Sequence, residues 1–131
     1  MARAETWMAG ALALWAGTAA AGFDRPTLCK GQMRFYNEDK SFTLYDMRLE
    51  LDSSSYRVQA QSADDPEGSD DRGRCGAYLG GWCRHSFPPN EDGTVEYFEF
   101  RLLDRGNGRY LYSEAWFDGF TGDSLMRCVA R

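Results

Sequence analysis

Residues 41–51 read Ser41-Phe42-Thr43-Leu44-Tyr45-Asp46-Met47-Arg48-Leu49-Glu50-Leu51. Tyr45, Met47, Leu49 and Leu51 alternate with Asp46, Arg48 and Glu50. A period of two puts the first set on one face of a strand and the charges on the other. A helix would gather apolar residues every three to four positions, and this stretch does not. The same alternation continues on both sides. Upstream, Gly31, Met33 and Phe35 oppose Gln32, Arg34 and Tyr36, and the polar run Asn37-Glu38-Asp39-Lys40 supplies a turn. Downstream, Asp52-Ser53-Ser54-Ser55 is a tight connection into Tyr56-Arg57-Val58-Gln59-Ala60-Gln61. These three segments predict a meander with one buried and one wet face.

The pattern lapses over Ser62–Arg74, where Asp64, Asp65, Pro66, Glu67, Gly68, Asp70, Asp71 and Gly73 leave no large apolar side chain. A mobile acidic loop is expected there. Cys75–Phe87 is short, glycine-rich and aromatic, and Pro88–Gly93 reads as another loop. Strands are expected again over Thr94–Asp104, Arg109–Phe117 and Ser124–Ala130. Arg105-Gly106-Asn107-Gly108 is a hairpin signal, because Asn and Gly tolerate positive φ. The expected fold is all-β: a small antiparallel β-barrel or strongly curved sheet of six to eight strands, tied by disulfides, with a β-sandwich as the alternative.

Residues 1–21 carry a different signal. Thr6–Phe23 has no charge, Arg3 precedes it, and Ala19-Ala20-Ala21 satisfies the small-x-small rule for leader peptidase. The run is shorter and less apolar than the ~20 residues that span a bilayer. The expectation is a signal peptide over 1–21, cleaved near Ala21, and a single exported domain over 22–131. A buried N-terminal helix and an uncleaved anchor are the alternatives. Pro26-Thr27-Leu28 before Cys29 lacks the small residues of a lipid-attachment site.

All four cysteines, Cys29, Cys75, Cys83 and Cys128, follow that segment. An even count in an exported chain reads as a disulfide framework with three possible pairings. The favoured pairing is Cys29–Cys128 with Cys75–Cys83. The first would join the initial and final strands, and a loop of that length is worth on the order of 4–5 kcal/mol in the chain-entropy model. The spacings are not those of a zinc site, and His85 is the sole histidine. Five carboxylates between Asp64 and Asp71 lack the alternation and fixed glycine of a calcium loop. No metal and no cofactor are expected.

Of the 131 residues, 15 are basic and 20 acidic, for a net charge of −5, which argues against nucleic acid as a partner. Nor does the chain predict stable membrane insertion once the leader is removed. Catalytic candidates are scattered: Glu96, Glu99, Asp104 and Glu114 could pair across strands, and His85 neighbours Ser86 only in sequence, where alternate residues face apart. No recognisable constellation emerges, and an enzyme is not expected. A small envelope hydrolase using paired carboxylates is kept as an alternative.

The aromatics point to binding. Along Arg109–Phe117, Tyr110, Tyr112, Glu114 and Trp116 share one face, and Arg109, Leu111, Ser113, Ala115 and Phe117 the other. If the second face is core, Tyr110, Tyr112 and Trp116 form an exposed aromatic row. In the opposite case the row fills the interior. Trp82, after Gly80-Gly81, is a second contact point, with Arg84 and His85 beside it. The candidate binding residues are Trp82, Arg84, Arg109, Tyr110, Tyr112 and Trp116, for an unidentified protein or small molecule. The oligomeric state is left open. The compartment expected is the periplasm or the extracellular space.

One layout is similar. Gly106-Asn107-Gly108-Arg109-Tyr110, Trp116-Phe117-Asp118-Gly119 and the closing Ser124-Leu125-Met126-Arg127-Cys128 resemble, in shape, the small periplasmic inhibitors of c-type lysozyme. That resemblance implies an exported β-barrel with first and last strands joined by a disulfide, and inhibition of a cell-wall hydrolase. It covers about 23 residues. Gly106 and Asp118 stand where the inhibitors carry the Ser and Lys that enter the lysozyme cleft.

Overall fold

A computed structural model describes residues 20–131. The expected leader lies outside the described residues except for Ala20 and Ala21. Eight strands follow: β1 (Thr27–Tyr36), β2 (Phe42–Leu51), β3 (Ser55–Ser62), β4 (Asp65–Arg74), β5 (Cys83–Ser86), β6 (Tyr97–Gly106), β7 (Arg109–Trp116) and β8 (Thr121–Ala130). They form one antiparallel sheet in the order β4-β3-β2-β1-β8-β7-β6-β5. Chain neighbours are therefore spatial neighbours all the way round, and β1 meets β8. Only β4 and β5 have no ladder between them. The fold is a nearly closed up-and-down barrel, and the single sheet displaces the sandwich alternative.

Alternation decides the inside. Cys29 and Met33, Met47, Leu49 and Leu51, Tyr56 and Val58, Phe98, Phe100 and Leu102, and Met126 and Cys128 are all buried. Cys29 and Cys128 are direct cross-strand partners on β1 and β8 and are disulfide-bonded, with Cα atoms 4.0 Å apart. Cys75–Cys83 is the second disulfide.

Segment 62–74 corrects the sequence reading: most of it is strand β4, not a loop. Its inward positions are Ser69, Asp71 and Gly73, so no apolar alternation marks it. It is held instead by its ladder to β3 and by a two-pronged ion pair, Arg57 Nε and Nη2 to Asp70 at 2.9 and 2.7 Å. Charged side chains on an unpaired edge also discourage pairing with other chains.

The gap between β4 and β5 is crossed by side chains. Tyr56 Oη lies 2.8 Å from His85 Nδ1, and His85 Nε2 lies 3.6 Å from Asp71 Oδ1. Burial pushes the Tyr56 phenol up, so it keeps its proton, and the imidazole tautomer sets which of the two groups donates. Gly73 is the β4 partner of Tyr56, and a Cβ there would overlap the phenol ring.

One end of the barrel is plugged by the segment between β4 and β5. Its Tyr78 is wholly buried, donates its hydroxyl to the Asp52 carbonyl at 2.5 Å, and accepts from the Phe23 amide at 3.0 Å. Ala21 pairs with Leu79, and Leu79 with Leu102, continuing the β5 edge.

Replacing Gly73 with Val should displace Tyr56 from His85 and destabilise the protein by about 1–3 kcal/mol in urea unfolding. Tyr56→Phe should cost much less in that background than in the natural one. Wild-type stability of Gly73→Val would contradict this account of the seam.

Candidate functional site

The other end is open. Between the β1–β2, β3–β4 and β7–β8 turns lies a cup of about 360 Å³. Its walls are Phe35 of β1, Tyr45 of β2, Trp116 of β7 and Phe120 of the β7–β8 turn. Met33 and Glu114 face it from below, with Asp65, Ser69 and Asp118 toward the rim. Gly122 on β8 makes this possible. A Cβ there would come within 2.8 Å of Met33 Sδ and 3.1 Å of Phe35 Cδ1, forcing floor and wall into the space.

The floor is built by β7. Tyr112, Glu114 and Trp116 sit two residues apart on the inward face. Glu114 is only 6% exposed. Tyr112 donates its hydroxyl to Glu114 Oε1 at 2.5 Å, and Trp116 donates its indole N–H to Oε2 at 2.6 Å. Each carboxylate oxygen keeps a further lone pair. Burial nevertheless dominates and raises the Glu114 carboxyl above its ordinary value; the two hydrogen bonds oppose this, and the charge of Asp71 reinforces it. Burial and the adjacent Glu114 hold the Tyr112 phenol well above its ordinary value, which keeps it a donor.

Among the rings around the cup, Phe120 stacks on Phe35 at 28° with centroids 6.1 Å apart, and Phe35 meets the other two edge to face. Phe35 stands at 84° to Tyr45 and at 87° to Trp116, with centroids 6.0 and 6.5 Å apart. Trp116 is backed by Phe87 and Phe98, both stacked on it. The indole is therefore fixed on both its hydrogen-bonding edge and its rear face.

The six candidate residues do not form one site. Tyr112 is fully buried, so the exposed-row reading is corrected: the row lines the interior, because the Leu111, Ser113 and Ala115 face is the outer one. Tyr110 is half-buried near the plugged end, edge-on to Phe23. Trp116 alone belongs to the cup. Trp82 is exposed on the outside, under the Arg101 guanidinium at 4.5 Å, and Arg84 lies over Tyr97 at 3.9 Å. Arg109 is exposed beside the 106–108 hairpin. Phe35, Tyr45 and Phe120 were not among the candidates. Their convergence depends on barrel closure, which no local pattern carries. Glu114 did carry a signal: a carboxylate at i±2 from Tyr112 and Trp116, on a face otherwise aromatic.

The other carboxylates face elsewhere. Glu99 is on the outer face, 3.5 Å from Arg84, and Glu96 and Asp104 are exposed. Among the described residues no group of three His, Cys, Asp or Glu side chains could hold a metal ion. The turns that carry the lysozyme-inhibitor resemblance, at 106–108 and 117–120, lie at opposite ends of β7, roughly 20 Å apart along the strand.

Fold and site together define a small, disulfide-tied, eight-stranded β-barrel domain with one end plugged and the other open. Compared with known proteins, the chain matches no family model, no curated protein and no solved structure.

Because the Glu114 carboxyl is raised on folding, the folded chain holds that proton at pH values where the unfolded chain has lost it. Its contribution to stability must therefore fall as pH rises from about 4.5 through the folded value, and stay low above it. Glu114→Gln removes the charge while its amide can still meet both partners, accepting from Trp116 and donating to the Tyr112 oxygen. Thermal unfolding from pH 4 to 8 should show the variant gaining on the natural protein through this window and at least as stable at neutral pH. Glu114→Leu strands both donors and should lose about 1–3 kcal/mol. A Gln variant that loses ground as pH rises would contradict this reading.

Proposed function

We propose that this chain is an exported, non-enzymatic binding domain whose ligand is a small molecule seated in the open end of the barrel. The observation that carries this is the uneven filling of the interior. The middle is packed with Phe98, Phe100, Leu102 and Tyr112, one end is stoppered by Tyr78, and the other holds an aromatic-walled cup of about 360 Å³. A concave, mostly apolar site with a few convergent polar groups is the usual form of a small-ligand pocket, and the mouths of β-barrels are a common place for one. The volume suits a small ligand.

Two further features support export. The leader-like stretch over 1–21 and the two disulfides both fit an oxidising compartment, periplasmic or extracellular. A net charge of −5 favours no nucleic-acid partner. Protein recovered from the exported fraction should begin close to Gly22 and contain no free thiol. Full-length protein with reduced cysteines, found only in the cytosol, would contradict export.

The binding claim is tested by screening small fragments, neutral and charged, against the exported protein by amide and side-chain NMR. Shifts should gather at Phe35, Tyr45, Trp116 and Phe120. Ala60 lines the same cup, and Ala60→Phe should fill it and abolish those shifts while leaving the rest of the spectrum in place. Fragments that bind only the outer face, or none that bind, would overturn the proposal.

A further inference from the structure

We infer that the cup takes an organic cation, a protonated amine or quaternary ammonium group on a small apolar body; the inference rests on the small-ligand reading above and specifies its chemistry. The cup lining carries three carboxylates, Asp65, Glu114 and Asp118, and no Lys or Arg. Glu38 adjoins Asp118 on the outer side of the rim, in the neighbouring depression between the β1–β2 and β7–β8 turns. An anionic ligand would enter against all of them.

The walls add a second, independent preference. Two parallel rings would make a slot for a flat neutral molecule. Here Phe120 is stacked directly on Phe35, with no gap for a ligand between them, and Phe35 meets Tyr45 and Trp116 nearly at right angles. Rings set at right angles enclose a volume rather than a slot. The negative face of an aromatic ring attracts a cation, Trp most strongly. A compact, rounded ammonium group fits such a corner better than a planar guanidinium does.

Glu114 places a carboxyl at the bottom with both oxygens accepting hydrogen bonds, the arrangement that suits a carboxylate. Its two oxygens are held by Tyr112 and Trp116, so it cannot swing out to water, yet each retains a lone pair. A buried carboxylate with no cation beside it is costly. An ammonium ion entering the cup would offset that cost, whereas a neutral ligand would not. A bare metal ion is a poor alternative, since among the described residues the carboxylates do not converge into a group that could hold one.

The test compares choline with its neutral isostere 3,3-dimethylbutan-1-ol, by calorimetry and by NMR shifts of the cup residues at neutral pH. Choline should bind about tenfold or more tightly than the alcohol, with shifts at Trp116 and Phe35. Glu114→Gln should reduce choline to the level of the alcohol, and Asp118→Asn, an exposed change that spares the core, should weaken choline alone. Equal or tighter binding of the alcohol would overturn the cation inference while leaving the small-ligand reading standing. Failure of both probes to shift the cup at millimolar concentration would overturn the cation inference. If, in addition, no fragment of the screen above reaches the cup, the small-ligand reading falls with it.

Discussion

The pairing of β1 with β8 is the constraint on which the rest of the structure depends. β1–β4 and β5–β8 are each a run of antiparallel neighbours, and each alone would leave two open edges. Joining them through Thr27–Ala130, Cys29–Cys128 and Phe35–Gly122 turns two curved sheets into one barrel. The contact links positions about 100 residues apart, a separation of 99 for the cysteines. Such non-local pairing is slow and entropically expensive to form. The Cys29–Cys128 bond offsets much of that cost by restricting the unfolded chain. It also sets where the barrel stays unzipped. With β1 and β8 locked, the remaining seam falls between β4 and β5, where side chains take over from a backbone ladder.

Closure in this form separates the two ends of the barrel. The connection from β4 to β5 must cross the bottom, and its Tyr78 becomes the stopper there. At the top, the cup opens between the β1–β2, β3–β4 and β7–β8 turns, and Gly122 keeps the space beside Met33 and Phe35 open. Glu114 then stands at the junction between packed core and open cup. A carboxyl in that position costs stability, and the structure responds by fixing it with a phenol and an indole rather than removing it. Sites of this kind, where a local rule is broken and supported, are where function is expected.

Much of the fold was legible because several strands have one apolar and one polar face. The alternation at Tyr45–Leu51 and Tyr56–Gln61 is visible without any partner, the even cysteine count indicated a disulfide framework, and the favoured pairing is the one formed. β4 was not legible for a physical reason. Its inward residues are Ser69, Asp71 and Gly73; Asp71 is met by His85 and Gly73 by the Tyr56 ring, both on other strands. Nothing in the segment itself announces those contacts. The face of β7 was ambiguous for the opposite reason: both faces carry apolar side chains, and only closure shows that Tyr112 points inward. The cup was the least legible part. Phe35, Tyr45, Trp116 and Phe120 come from positions up to 85 residues apart, and only the β1–β8 register brings the first pair against the second.

The cup rests on a buried, hydrogen-bonded carboxyl at Glu114. Its own titration measures that directly, through the side-chain carboxyl carbon shift in isotope-labelled protein. A transition above the ordinary glutamate range is expected, felt at the Trp116 indole proton as well. A carboxyl that titrates at or below about 4.5, with the indole proton unaffected, would contradict it.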